Sequence, residues 1–160
     1  MGLEESGFAH THRDEEIPRN HRRMDSNRIF VDTNVIVGAW AGNTDDDRCL
    51  KYLFSLKGKR LYVSTLSIAQ FVSVYQKKRS NEEIRKQVKY LLSKFNLVGF
   101  AEKDVEVAID EASHDIEDNI QYVLCHKVKC GHFITNNIKD YSGYFLLNVL
   151  KPSQIRQINQ

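Results

Sequence analysis

Two carboxylate-bearing runs and a hydroxyl–amide cluster carry the residue types that do chemistry. The first is Arg28-Ile29-Phe30-Val31-Asp32-Thr33-Asn34. Three consecutive apolar residues read as a short strand buried on both faces, and it ends in a carboxylate, a hydroxyl and an amide. Ligands of open α/β sheets gather outside the carboxyl ends of the strands, so Asp32 stands where a ligating or catalytic group belongs. The plainer role for Asp32 or Thr33 is to cap the next helix. The second run is Asp115-Ile116-Glu117-Asp118-Asn119-Ile120-Gln121. Asp115 and Asp118 are three apart, hence neighbours on one helical face, at the end where the helix dipole favours anions. An N-cap role for Asp115 is again the alternative. Asp118 falls between Ile116 and Ile120, close to a buried stripe where a carboxylate needs a partner. The third cluster is Thr135-Asn136-Asn137-Ile138-Lys139-Asp140-Tyr141, also after an apolar run.

The elements that must position these residues alternate between strand and helix. Ile29–Val31 is a strand, and Val35–Trp40 begins a helix or turn. Thr44, Asp45 and Asp46 open a helix with Cys49, Leu50, Leu53, Phe54 and Leu56 on its apolar stripe, stopped by Gly58. Leu61–Val63 is a second strand. Ser64 caps a helix from Leu66 to about Lys78, and Gln70 on it faces the same rim as Asp32. Ser80 and Glu83 have capping-box spacing ahead of Ile84, Val88, Leu91, Leu92 and Phe95. Leu97–Phe100 is a third strand, and Val105, Ile109 and Ala112 mark a short helix. Asp115 opens a helix with Ile116, Ile120, Val123 and Leu124 inward, ending near Gly131. His132–Thr135 and Asn148–Leu150 complete the set. Repeated strand–helix–strand units imply a parallel sheet with helices on both faces.

With 160 residues, of which 41% are hydrophobic, the chain suits one domain with a real core. Residues 1–24 are polar, mixed in charge and without periodicity. They read as a flexible leader or N-terminal arm, with Met24 an alternative start, and residues 25–160 as the single domain. No run approaches the roughly 18 apolar residues that span a bilayer, and no apolar signal region precedes the domain, so a cytoplasmic protein is expected, with no membrane partner. Three cysteines form no disulfide framework. Cys125, His126, Cys130 and His132 match no zinc spacing. The net charge of +2 is small. The basic residues are clustered, however: Lys57, Lys59 and Arg60; then Lys77, Lys78 and Arg79; then Arg85, Lys86 and Lys89. Such clusters neutralise phosphates or simply face solvent.

From about Arg28 to Gln154 the chain resembles the PIN domain family, the fold of VapC-type toxin nucleases. Asp32-Thr33-Asn34 is similar to the family's opening motif. Ser64-Thr65-Leu66-Ser67-Ile68-Ala69-Gln70 is similar to the second, which normally ends in Glu. Asp118 matches the third acidic position. Thr135-Asn136-Asn137 matches the fourth motif, where Asp is usual in place of Asn137. The resemblance implies a three-layer α/β/α fold with a central parallel sheet of about five strands. It further implies Mg²⁺ or Mn²⁺ and hydrolysis of RNA phosphodiesters, with an antitoxin protein and a homodimer as partners. Phe71, Val72, Val74 and Tyr75 are offered for a dimer face, with core packing as the alternative.

On this reading Asp32 and Asp118 hold metal, with Asp115 as a further ligand, and Asp115 or Asp140 completes the catalytic carboxylates. Thr33, Asn34, Gln70, Asn136 and Asn137 support them, and Lys77, Lys78, Arg79 and Arg85 hold the RNA backbone. Two carboxylates about 4 Å apart repel by about 4 kcal/mol at an effective dielectric near 20, which a cation relieves. Mg²⁺ often takes one or two carboxylates and keeps its waters, so a single metal is supportable with Gln70 and Asn137 in place of acids. A pair of metals calls for more charge. A domain that has lost catalysis and binds RNA or protein remains open on the same two residues. An aspartyl-phosphate phosphatase needs a second Asp where Asn34 stands. A receiver domain lacks its acidic pair, and a nucleotide fold its Gly-rich loop.

Overall fold

The computed structural model describes residues 24–111, 115–144 and 148–159. Most of the expected leader, residues 1–23, lies outside the described residues, as does Ala112. The strands are β1 (Asp25–Val31), β2 (Arg60–Ser64), β3 (Asn96–Val98), β4 (Cys130–Ile134) and β5 (Asn148–Leu150). The α-helices are α1 (Thr33–Trp40), α2 (Thr44–Ser55), α3 (Thr65–Tyr75), α4 (Asn81–Lys94), α5 (Glu102–Ile109) and α6 (Ile116–Lys127). Short 3₁₀ helices cover Ile138–Tyr141 and Pro152–Asn159. The five strands are all parallel, in the order β3-β2-β1-β4-β5.

Alternation along the central strands fills two cores. Ile29 and Val31 of β1, Leu61 and Val63 of β2 and Ile134 of β4 pack with α1 to α4 on one face. Phe30 and Phe133 turn to the other, against Leu124 and Cys125 of α6 and against Tyr141 and Tyr144. All three apolar residues before Asp32 are therefore fully buried, as the unbroken apolar run predicts. Phe71 and Tyr75 belong to the first core and Val72 packs on it, while Val74, 41% exposed, is a large apolar residue that α3 shows to solvent.

The helix starts follow local chemistry. Ser80 and Glu83 form the expected capping box, and the Ser64 hydroxyl accepts from the Ser67 amide. For α2 the cap is Asn43, one residue before the expected group: its carbonyl oxygen accepts from the amides of Asp45 and Asp46. Some ends differ from expectation. Helix α2 closes at Ser55, and Gly58 occupies the turn beyond with φ +75°. Helix α3 stops at Tyr75 rather than near Lys78, and β3 ends at Val98 rather than Phe100. Ile116 is 50% exposed instead of inward, and the buried face of α6 is made by Asn119, Gln121, Leu124 and Cys125.

Helix α6 does not run to Gly131. It ends at Lys127, and Lys129 takes the left-handed turn with φ +56°. Gly131 lies inside β4, where an added Cβ would sit 2.8 Å from the Asp25 carbonyl oxygen. Its glycine serves the close approach of β1 to β4, not a helix stop.

Candidate active site

Asp32 is the first residue past β1 at the carboxyl edge of the sheet, with 6% of its surface exposed. Its Oδ2 accepts from the Thr135 hydroxyl at 2.8 Å and from the Asn34 amide at 2.9 Å. The same Asn34 amide nitrogen donates to Thr135 Oγ1 at 3.1 Å, and the Asn137 backbone amide donates there at 3.0 Å. Thr135 Oγ1 thus donates one bond and accepts two, its full capacity. Strands β1 and β4 are paired in register, Val31 opposite Ile134, so residues 32 and 135 leave the sheet side by side. That register is why two motifs a hundred residues apart share one carboxylate oxygen.

A second layer lies beside the first. The Thr33 hydroxyl is 2.7 Å from both Ser67 Oγ and Gln70 Oε1. Gln121 of α6, 1% exposed, donates from Nε2 to Thr33 Oγ1 and Ser67 Oγ at 3.2 and 3.1 Å. Each hydroxyl has one proton, and the assignment that serves every contact has Ser64 donating to Ser67 Oγ, Ser67 to Thr33 Oγ1 and Thr33 to Gln70 Oε1. Gln70 then presents its NH₂ group to the space beside Asp32.

That space is a cavity of about 350 Å³ lined by Asp32, Thr33, Asn34, Gln70, Glu117, Asp118 and Asn137, with Val37, Ser73 and Val74 completing the wall. Asp118, in the first turn of α6, is half-buried and accepts at Oδ1 from the buried Tyr141 hydroxyl at 3.0 Å. Burial pushes the Asp32 carboxyl up to about 6, and the charges of Asp118 and Glu117 push the same way against the bonds from Thr135 and the Thr33 amide. Asp118 is raised too, by burial first and then by Asp115, Asp140 and Glu117, while the Tyr141 bond lowers it. The Tyr141 phenol is held protonated by burial and by both aspartates.

The cavity therefore gathers Asp32, Asp118, Thr33, Asn34, Gln70 and Asn137 of the expected set. Asp115 is placed otherwise: it is the exposed N-cap of α6, its Oδ1 accepting from the amides of Glu117 and Asp118 at 2.9 and 3.4 Å. Asp140 is exposed on the 3₁₀ turn, outside the cavity wall. Asn136 is also off the wall; its backbone amide donates to Asn34 Oδ1 at 3.1 Å and its side chain to Asp46 Oδ1 at 3.0 Å. Lys77, Lys78 and Arg79 are exposed just past α3, and Arg85 is exposed on α4. Arg79 also lies over the Trp40 ring.

Sequence reasoning passed over Glu117, Tyr141, Gln121 and Asp46. Glu117 stands next to Asp118 in a run already singled out, in the first turn of α6, where Ile116 is exposed rather than inward. Tyr141 and Gln121 act through contacts that join distant elements.

Acids alone do not enclose an ion: among the described residues no three His, Cys, Asp or Glu side chains form a group that could hold a metal. The donor set fits a hard cation that keeps most of its waters. Two carboxylates made costly by burial and mutual repulsion face one open cavity, alongside amide groups.

The sequence model of the PIN domain family matches residues 29–139. Ribonuclease VapC1 of Aquifex aeolicus (strain VF5) is 27% identical over 135 residues, covering 74% of this chain and 88% of the relative. A toxin-antitoxin complex from Klebsiella pneumoniae contains a chain that superposes with TM-score 0.61 at 18% identity, over 78% of this chain and 97% of that one. For VapBC-1 from nontypeable Haemophilus influenzae the values are 0.62, 14%, 79% and 98%. For VapC20 of Mycobacterium tuberculosis, described as a sarcin-ricin loop cleaving toxin, they are 0.52, 16%, 66% and 86%.

Proposed function

Because the chain belongs to the PIN domain family, we propose that it is a metal-dependent endoribonuclease, the toxin of a toxin–antitoxin pair acting in the cytoplasm. The observation that carries this reading is the convergence of Asp32 and Asp118 on one cavity at the carboxyl edge of the sheet. The ribonuclease relative and the toxin–antitoxin neighbours support it.

Asp32 and Asp118 would hold a Mg²⁺ or Mn²⁺ ion, and Glu117 lines the same cavity without forming a three-acid metal group with them. Asp115 remains a cap, and Asp140 contributes negative potential from outside. The bound ion supplies Lewis acidity and a water of lowered pKa. Asn34 and Thr135 both bind Oδ2 and so fix the orientation of the Asp32 carboxylate. Gln70, its carbonyl engaged by Thr33, offers an NH₂ donor to a phosphate oxygen, and Asn137 lines the same cavity. Lys77, Lys78, Arg79 and Arg85 hold the RNA backbone.

A hollow of about 470 Å³ between α3 and α4, lined by apolar Val72, Ile84 and Val88 and by basic Arg85 and Lys89, suits an acidic amphipathic segment of the antitoxin. A homodimer contact on α3 would use the exposed Val74, which also lines the cavity, so the second copy would meet the rim of the site.

Full-length protein incubated with structured RNA tests the reading. Cleavage is expected with Mn²⁺ or Mg²⁺, and is expected to be lost in chelator and in Asp32→Asn. Equal products from parent and variant would remove catalysis from this site. RNA binding that persists in chelator without cleavage would favour a binding module, the reading that Gln70 and Asn137 suggest.

A further inference from the structure

Asp46 is a buried carboxylate that the proposed chemistry does not use. It lies in the first turn of α2 with 1% of its surface exposed, and no cation bridges it among the described residues. A lone buried carboxylate is costly, and surface positions in the first turn would serve the helix dipole equally well, as Asp45 does. The surroundings are shaped to receive it. Gly38 of α1 faces it, and a Cβ there would fall 1.9 Å from Asp46 Oδ2. The other oxygen, Oδ1, accepts from the Asn136 side-chain amide at 3.0 Å.

Asn136 is thereby held at two points by neighbouring helices. Its side chain binds Asp46 of α2, and its backbone amide binds Asn34 Oδ1 of α1 at 3.1 Å. Asn34 and Gly38 are four residues apart, so the α1 residue that binds Asn136 and the α1 residue that Asp46 approaches lie on one face of that helix. From Asn34 the chain of bonds continues through Nδ2 to Asp32 Oδ2 at 2.9 Å. The residues flanking Asn136 are Thr135, which also binds Asp32, and Asn137, which lines the cavity.

We infer that Asp46 is a positioning residue of the active site: through Asn136 it sets the β4 exit loop and the Asn34 amide, and through them the orientation of the Asp32 carboxylate. The inference rests on the nuclease reading for its catalytic consequence, though not for the coupling itself. A charged acceptor grips an amide more firmly than a neutral one, which explains a carboxylate at a place where Ser or Asn would fit. The substitution that severs the chain is Asp46→Ala. It removes a buried charge and leaves Asp32, Asn34 and Asn136 in place.

The test compares Asp46→Ala, Asn136→Ala and the double variant in the full-length protein. Three readouts are taken: side-chain and backbone amide NMR of Asn34 and Asn136, Mn²⁺ affinity by calorimetry, and RNA cleavage. Expected are shifted Asn34 side-chain resonances in Asp46→Ala, with Mn²⁺ affinity and kcat each reduced on the order of tenfold to a hundredfold. The double variant is expected to lose no more than Asn136→Ala alone, because both act along one path. Unchanged Asn34 resonances would overturn the coupling, as would losses that add. A lowered melting temperature with intact Mn²⁺ affinity would reduce Asp46 to a packing role. Shifted Asn34 resonances in Asp46→Ala, with a parent protein that binds no Mn²⁺, would keep the coupling and sink the nuclease reading instead.

Discussion

The end of β1 and the start of α6 each bring a carboxylate to the cavity, and they do so by different means. Asp32 is fixed by the sheet. Its backbone amide bonds to the Ile134 carbonyl, and its Oδ2 takes two donors from α1 and the β4 exit. Asp118 is fixed by a helix N-terminus and one bond from the Tyr141 phenol. The first carboxylate is buried and held from two directions; the second is half-buried and held from one. The contrast suggests a division of labour, in which Asp32 is the preset anchor and Asp118 the partner free to adjust when a cation or phosphate enters.

The largest effect separating the two is expected on cleavage. A bound metal is worth several kcal/mol of charge stabilisation, so Asp32→Asn is expected to lower kcat on the order of a thousandfold. Asp118→Asn is expected to lose less, since Glu117 lines the same cavity and retains a carboxylate on that wall. Parallel cleavage assays on the two variants decide it. Equal losses would erase the distinction between anchor and adjustable partner.

Stability against pH gives the next effect. The Asp32 carboxyl stands at about 6 in the folded chain against an ordinary 3.8. Between these values the folded chain keeps a proton that the unfolded chain has released. The associated stability is full below the lower value and is lost as pH rises to the upper one. The difference amounts to about 3 kcal/mol. Asp32→Asn removes this loss, so metal-free variant and parent are expected to unfold at similar denaturant concentration near pH 4 and to diverge by pH 7.5, the variant being more stable. A gap independent of pH would show that Asp32 ionises without cost.

Thr135→Val is smaller. It keeps the shape of the side chain and removes the hydroxyl that ties Asp32, Asn34 and the Asn137 amide together. Mn²⁺ affinity is expected to fall tenfold to a hundredfold in order of magnitude, as for other groups that orient a ligand from behind. Calorimetry on the folded variant measures it, and an unchanged affinity would show that Asn34 alone suffices.

What the sequence made legible follows the same contrast. The apolar run before Asp32, the Ser80–Glu83 box and the alternation of strand and helix are local signals, and they yielded the parallel sheet and its central strand. The pairing of Asp32 with Thr135 was approachable because both end strands of one sheet edge. The α6 side was harder. Asp115 carries two readings in one sequence, ligand or cap, and only the direction of its Oδ1 toward the Glu117 and Asp118 amides separates them. Gly131 looked like a helix stop because glycine is common there, while Lys129 had taken the left-handed turn. Asp46 gave no signal at all, since three consecutive aspartates at a helix start suit the dipole and nothing local says which one is buried.

Tyr141→Phe probes the weaker attachment and is expected to have the smallest effect. The ring stays packed against Phe133, with centroids 4.5 Å apart, so the variant loses the hydroxyl and little else. A single hydrogen bond contributes on the order of 1 kcal/mol, which limits the change in Mn²⁺ affinity to less than about tenfold. Its size depends on pH. The phenol favours the charged form of Asp118, so without it the carboxyl titrates at higher pH and a cation must displace a proton more often. The affinity deficit of Tyr141→Phe is therefore expected to be larger at pH 6 than at pH 8, measured by calorimetry against the parent at both. A deficit equal at the two pH values would mean that the phenol only aims the carboxylate and leaves its charge alone. Asp118 would then differ from Asp32 in burial but not in how its ionisation is governed.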